Sequence, residues 1–277
     1  LGIGSGISIL ISQAAGASDA TRLQRLGQTE VFFLYAASLP LTLLGVFAGP
    51  FLLKLMQVPA DAMPYAVTYL RITTLGILGN MGYNFNAGIL RGLGNSTSSL
   101  MLLGISCAVN IALDLVLTAG LGMGVTGVAI ATAAALFLSW VFSIAYIRHT
   151  YPAMDFPLLP CGFDAAILRE ILKIGLPLGM NTALYSVGHV LLQALYNTLG
   201  STFVAGCSVA GKVSGIANIA ITSYSSAATV FAGQNLGAQK YHRLCRGAWQ
   251  IPLCSGAVTL AGGLFVTAFC RPLLGLF

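Results

Sequence analysis

From Gly92 to Ile147 the chain carries no Lys, Arg, His or Glu and a single Asp, Asp114. A helix crosses the roughly 30 Å hydrocarbon layer of a bilayer in about 20 apolar residues, so this stretch holds two crossings with one carboxylate between its ends. Across the whole chain 57% of residues are hydrophobic and 7% charged. Soluble domains carry about 25% charged residues. There is too little polar surface here to cover a water-soluble core, so the main solvent is lipid. Further apolar runs follow the same pattern: a partial span at 1–15, then spans near 31–53, 64–90, 98–119, 125–147, 170–198, 203–232 and 248–270. They are continuous rather than alternating and far longer than barrel strands. The fold class is an all-α membrane protein, a polytopic helical bundle.

The connecting segments alternate in charge. Arg22, Arg25, Arg91, Arg148, Arg169, Lys173, Lys240, Arg243 and Arg246 fall on one side, and Lys54 and Arg271 on the other. The basic excess places the first set in the cytoplasm. The net charge of +6 belongs to these loops and does not call for nucleic acid. The hydrophilic stretch 148–169 holds three prolines and separates an N-terminal lobe, 1–147, from the first half of a C-terminal one, 170–277. Six cysteines show no metal or redox spacing, and the Asn-Ser-Thr triplet at 95–97 lies on the cytoplasmic side, so it is discounted as a glycosylation site. The chain starts inside an apolar segment without Met, and reads as truncated at both ends.

The segment QAAGASDATRLQR (13–25) matches QNLGAQKYHRLCR (234–246) at Gln, Gly, Ala, Arg, Leu and Arg. Both copies follow an apolar span and lie in cytoplasmic loops. Their shared orientation predicts a parallel repeat about an axis along the membrane normal, an arrangement used by secondary transporters.

A mid-membrane carboxylate costs about 2.5–3.5 kcal/mol on insertion scales and normally faces a partner or a watery cavity. Asn110 and Asp114 share a helix face at four-residue spacing. Folding the hairpin at Met123 brings Thr132, on the next helix, to a depth similar to Asp114 in the outer half of the bilayer. Carboxylate, amide and hydroxyl together suit a hard monovalent cation, or a proton held on the carboxylate; alternatively, Asn110 and Thr132 simply satisfy a structural aspartate. On this reading Asp114 is the only carboxylate buried in the chain. Asn84 and Asn86 are candidates to extend the polar network. His189, Gln193 and Asn197, at helical spacing, are candidates to line a cavity or to make interhelical contacts. Arg71 and Lys212 read as snorkelling or capping residues. No Gly-x-Ser-x-Gly, His-Glu-x-x-His or paired aspartates appear, so an enzyme is not indicated, and no metal site is visible beyond Na⁺ at Asp114.

YLRI (69–72), ILRGLGNS (89–96), NIALDLVL (110–117), GVTGVAIAT (124–132), KIGLPLG (173–179) and GQNLGAQ (233–239), with the repeated loops, resemble the multidrug and toxic compound extrusion (MATE) family over the whole chain. The resemblance implies twelve helices in two six-helix lobes, of which this chain supplies the end of helix 2 through helix 9. It implies multidrug efflux of small amphipathic or cationic compounds by alternating access, driven by inward Na⁺ or H⁺, without a cofactor. It also implies a monomer in the bacterial cytoplasmic membrane, with partners limited to small-molecule substrate and lipid. In that family an Asn-x-x-x-Asp pair on helix 5 and a Thr on helix 6 belong to the N-lobe cation site, matching Asn110, Asp114 and Thr132, with a further acid on helix 1. Some members carry a glutamate on helix 7, where this chain has Tyr185 and Ser186. A lipid-linked saccharide flippase of related architecture is the alternative, and it would need a strongly cationic cavity.

Overall fold

The structure is a computed structural model, and it describes residues 2–55, 62–198 and 200–268. The elements are α1 (Gly2–Gly16), α2 (Ala20–Leu55), α3 (Met63–Leu75), α4 (Ile77–Gly92), α5 (Ser96–Asp114), α6 (Gly124–Thr150), α7 (Ala165–Thr198), α8 (Ser201–Gly237) and α9 (Tyr241–Ala268). A π-helix, Leu115–Gly120, continues α5, and a 3₁₀ turn, Pro152–Met154, follows α6. No strand occurs among the described residues. Ala20–Leu55, Ser96–Gly120, Gly124–Thr150 and Tyr241–Phe265 are each long and apolar enough to cross a membrane.

Three expected boundaries move. The span at 64–90 is two helices, broken at Gly76. Thr73 Oγ1 donates to Tyr69 O (2.8 Å) and Thr74 Oγ1 to Leu70 O (2.5 Å), which bends the helix just before the break. The linker is shorter than 148–169, because α6 runs to Thr150 and α7 starts at Ala165. The span at 98–119 ends in π geometry, which begins immediately after Asp114.

Close backbone approach organises the N-terminal half. A Cβ on Gly79 would come within 2.7 Å of the Phe137 backbone, and one on Gly88 within 3.3 Å of Gly4 C, so α4 lies directly against both α6 and α1. Phe33 stacks on Phe85 (ring centroids 6.1 Å) and Tyr35 meets Trp140 edge-on (6.2 Å), which fixes the height of α2 against α4 and α6. The linker straps onto the N-terminal half of α2. Arg148 Nε donates to Phe156 O (2.7 Å), Tyr35 Oη to Leu158 O (3.2 Å), and Phe32 packs on Phe163 (4.7 Å). Arg22 pairs with Glu170 at 2.8 Å, tying α2 to the start of α7.

The repeat is visible in the backbone. In the first copy Ser18 adopts φ 54°, Ser18 N–H donates to Ala15 O (3.1 Å) and Asp19 N–H to Ala14 O (3.0 Å). In the second copy Gln239 adopts φ 57°, Gln239 N–H donates to Leu236 O (3.0 Å) and Lys240 N–H to Asn235 O (2.8 Å). Both are the same Schellman ending of a helix, built at matching positions of the two segments.

Candidate cation site and inter-lobe cavity

The segment around Asp114 is positioned by α5 and α6. α5 starts cleanly because Gly94 takes φ 85° and the Asn95 side chain then accepts Ser98 N–H (3.2 Å) as its cap. Asn95 Nδ2 also donates to Tyr146 Oη (3.1 Å) and Tyr151 Oη (3.2 Å), so the Asn-Ser-Thr triplet serves helix capping. Higher up, Ser106 Oγ donates to Ala135 O (3.2 Å). Near the outer end, a Cβ on Gly127 would lie 3.2 Å from Leu117 C. These two crossings put Thr132 level with Asn110 and Ile111, about one turn inward of Asp114. The π segment accounts for the shift, since its wider turns climb less per residue than the α-helix that the counting assumed.

Asn110 and Asp114 are half-buried and share one face of α5, and Thr118 extends the same stripe into the π segment. Asn110 Nδ2, Asp114 Oδ1 and Thr118 Oγ1 are all buried atoms without a hydrogen-bond partner among the described residues. Buried polar atoms are normally satisfied; of these three, the Asp114 and Thr118 oxygens are of the kind that accept from water or ligate a cation, whereas Asn110 Nδ2 is a donor. Thr132 lies half-buried on the facing helix, and no hydrogen bond joins it to Asp114. Thr118, four residues beyond Asp114, repeats the spacing that joins Asn110 to Asp114.

Asn84 and Asn86 point to different neighbours. Asn84 Nδ2 donates to Asn80 Oδ1 (3.0 Å) along its own helix. Asn86 is buried and donates to Ser143 Oγ on α6 (2.7 Å), well toward the cytoplasmic end and away from Asp114. The expectation of a single buried carboxylate is corrected. Glu30 on α2 is completely buried, whereas Asp114 is only half-buried. Glu30 sat at the edge of a predicted span, and only packing against the neighbouring helices shows that it is interior.

Between the halves lies a cavity of about 690 Å³ lined by α1, α4, α7 and α8. Its walls are rich in hydroxyls, from Ser5, Ser8, Thr182, Thr222, Ser225, Ser226 and Thr229, with Asn181 and Tyr185. Arg91, expected in a cytoplasmic loop, sits in the last turn of α4 and lines this cavity without an ion pair among the described residues. His189 is exposed and lines a groove of about 570 Å³ with Asn181 and Tyr185. Gln193 is exposed on the same helix, and the side chain of Asn197 lies outside the described residues. Among the described residues no cluster of His, Cys, Asp or Glu is arranged to hold a metal ion.

Below the cavity the two repeat segments meet each other. A Cβ on Gly16 would overlap Gln234 O, and one on Gly237, its counterpart, would overlap Gln13 O, the counterpart of Gln234. Gln234 Nε2 donates to Gly92 O (3.0 Å) beside this contact. The contact is reciprocal, as a two-fold axis along the membrane normal requires.

Fold and site together define a multi-pass helical membrane protein whose repeated lobes enclose a shared cavity, with a polar site inside the N-terminal lobe. The chain matches the MatE family over residues 1–116 and 177–277, and belongs to it. It is similar to the probable multidrug resistance proteins YpnP (27% identical, covering 86% of this chain and 53% of the relative) and YoeA (27%, 100% and 61%) of Bacillus subtilis. It is also similar to the probable multidrug resistance protein NorM of Pseudomonas putida (28%, 100% and 61%). Among solved structures it superposes on a MATE transporter in the straight conformation (TM-score 0.86, 24% identical, 100% of this chain and 62% of that one). It likewise superposes on an outward-facing multidrug resistance MATE family transporter (TM-score 0.86, 23%, 98% and 61%). The chain thus spans a little over half the length of these relatives. The matched transporters have two six-helix lobes, and the family is one of transporters rather than enzymes.

Proposed function

We propose that the full-length protein is a secondary active antiporter of the bacterial cytoplasmic membrane. It exports small amphipathic or cationic compounds by alternating access, coupled to inward flow of Na⁺ or H⁺, and works as a monomer without a cofactor. The observation that carries this reading is the stripe of unpartnered atoms on Asn110, Asp114 and Thr118 at the junction of α5 with the π-helix. An aspartate there holds a cation or a proton from the outer side, and Asn110 and Thr132 supply neutral oxygens about one turn further in. π turns inside α-helices are frequent at functional sites, because they release backbone and side-chain groups for a ligand. Family membership and the names of the relatives support multidrug export. The flippase reading is not favoured: among the described residues the inter-lobe cavity presents one guanidinium, Arg91, which is a weak match to a pyrophosphate.

The test uses the full-length protein in proteoliposomes with separately imposed Na⁺ and pH gradients. Asp114→Asn is expected to abolish ion-driven export while the protein stays folded and inserted. Undiminished export by that variant removes the assignment. The wild type responding to only one of the two gradients identifies the coupling ion.

A further inference from the structure

Glu30 is fully buried, and both of its carboxylate oxygens lack a hydrogen-bond partner among the described residues. Leu26 and Leu34, one turn to either side on α2, are buried with it. An ionised carboxylate so enclosed, with no donor to either oxygen, carries a desolvation cost that nothing here offsets. The protonated form removes that charge. A sodium ion would need several oxygens at once, and the leucines supply none.

No charged neighbour supplies a counter-ion. The elements packed on α2 are α1, α3, α4, α7 and the turn at 152–154, and α6 touches it through Tyr35 and Trp140. The ionisable groups of α6 are Tyr146, bonded to Ser98 Oγ and Asn95 Nδ2, Arg148, bonded to Phe156 O, and the exposed His149. α1 and that turn contain no ionisable side chain, and α3 contributes Tyr65, Tyr69 and an exposed Arg71. From α4 come Tyr83, which donates to Ser99 O (2.9 Å), and Arg91, which lines the inter-lobe cavity. From α7 come Arg169, Lys173, Tyr185, His189 and Glu170, the last already paired with Arg22. In the linker Asp155 accepts from Gln24 Nε2 (3.4 Å) and Asp164 lies 3.8 Å from Arg25. None of these bonds to Glu30.

Position gives the buried acid a role. At 1.5 Å per residue Glu30 stands about 15 Å from the cytoplasmic start of α2, and Asp114 about 27 Å from that of α5. By the same count the unpartnered buried atoms Asn110 Nδ2 on α5, Ser139 Oγ on α6 and Asn86 Oδ1 on α4 stand about 21, 16 and 9 Å from the corresponding ends of their helices. Asn86 is bonded to Ser143 Oγ (2.7 Å), one helical turn from Ser139. On the cytoplasmic side the neighbouring Thr29 lines a cavity of about 320 Å³ with Arg25, Gln28 and Asp164. Resting on the reading of Asp114 as the coupling carboxylate, we infer that Glu30 is a second proton-binding site of the N-terminal lobe, on a path of buried polar groups and water leading from Asp114 to the cytoplasmic cavity beside Thr29. A proton taken from water at the Asp114 end protonates the Glu30 carboxylate and is returned from it to cytoplasmic water, with no other reactant.

The test uses the purified full-length protein in lipid. Its infrared spectrum is expected to contain a protonated-carboxyl band that disappears in Glu30→Gln and persists in Asp114→Asn. In proteoliposomes Glu30→Gln is expected to bind substrate as the wild type does, yet to lose export driven by a pH gradient alone. Glutamine keeps the shape and the hydrogen-bonding capacity of the protonated acid, so a merely structural glutamate would leave export intact. Absence of the band, its survival in Glu30→Gln, or wild-type export by Glu30→Gln under a pH gradient overturns the inference. If Asp114→Asn exports normally while Glu30→Gln shows both losses, the coupling role of Asp114 fails and the proton site at Glu30 stands.

Discussion

Ser18 and Gln239 hold left-handed backbone, at φ 54° and 57°, because each ends a helix whose last carbonyls are closed by the same pair of hydrogen bonds. A side chain in that region costs about 1 kcal/mol that glycine does not pay. Ser18→Gly and Gln239→Gly are therefore each expected to stabilise the full-length protein by up to about 1 kcal/mol, read as a higher midpoint of thermal unfolding in detergent. The two variants should behave alike, since the two sites share one geometry. The same scale of reasoning separates the acids. Asp114 is half-buried at a helix junction, whereas Glu30 is fully enclosed.

At the scale of the element, the π segment is the feature that distinguishes α5 from an ordinary membrane helix. It starts at the residue after Asp114 and sets the angle between Asp114 and Thr118. Deleting Ala119 is expected to return the segment to α geometry, which keeps Thr118 on the face of Asp114 but changes the height of that stripe against Thr132 on α6. Ion-driven export by the full-length variant should fall sharply, while size-exclusion behaviour and membrane insertion remain those of the wild type. Unchanged export would show that the π turn contributes nothing to the site. The broken helix α3–α4 is a different case: its bend at Gly76 follows from threonine hydroxyls bonding back to the preceding turn, and its close seat on α6 requires glycine at position 79.

For the whole molecule, the two repeat segments make a reciprocal contact on one side of the inter-lobe cavity, the side that the loop charges predict to be cytoplasmic. Gly16 and Gly237 permit it, because a Cβ on either would overlap the backbone oxygen of the opposing glutamine. Gly16→Val and Gly237→Val, in the full-length protein, are each expected to part the two segments and favour the state open to the cytoplasm. A cysteine placed at Ser225, in the cavity wall, should then react faster with a membrane-impermeant reagent added from the cytoplasmic side. Equal labelling rates in variant and wild type would contradict this expectation.

By itself, the sequence determined the solvent, the helical class, the parallel repeat and the row Asn110–Asp114. Each of these follows from composition, from charge placement or from a short periodic spacing, and none depends on which helix touches which. The match of residues 13–25 with 234–246 anticipated two segments of the same local shape, and their equal backbone angles and hydrogen bonds reproduce it. Only the tertiary structure decided that those segments meet each other, that Thr132 stands level with Asn110, that Asn86 bonds across to Ser143, and that Arg91 faces the inter-lobe cavity rather than a loop. It also decided that Glu30 is interior. Burial belongs to the neighbours of a residue rather than to its own segment, and at the end of an apolar run the letters alone do not show whether a carboxylate is covered by another helix or by water.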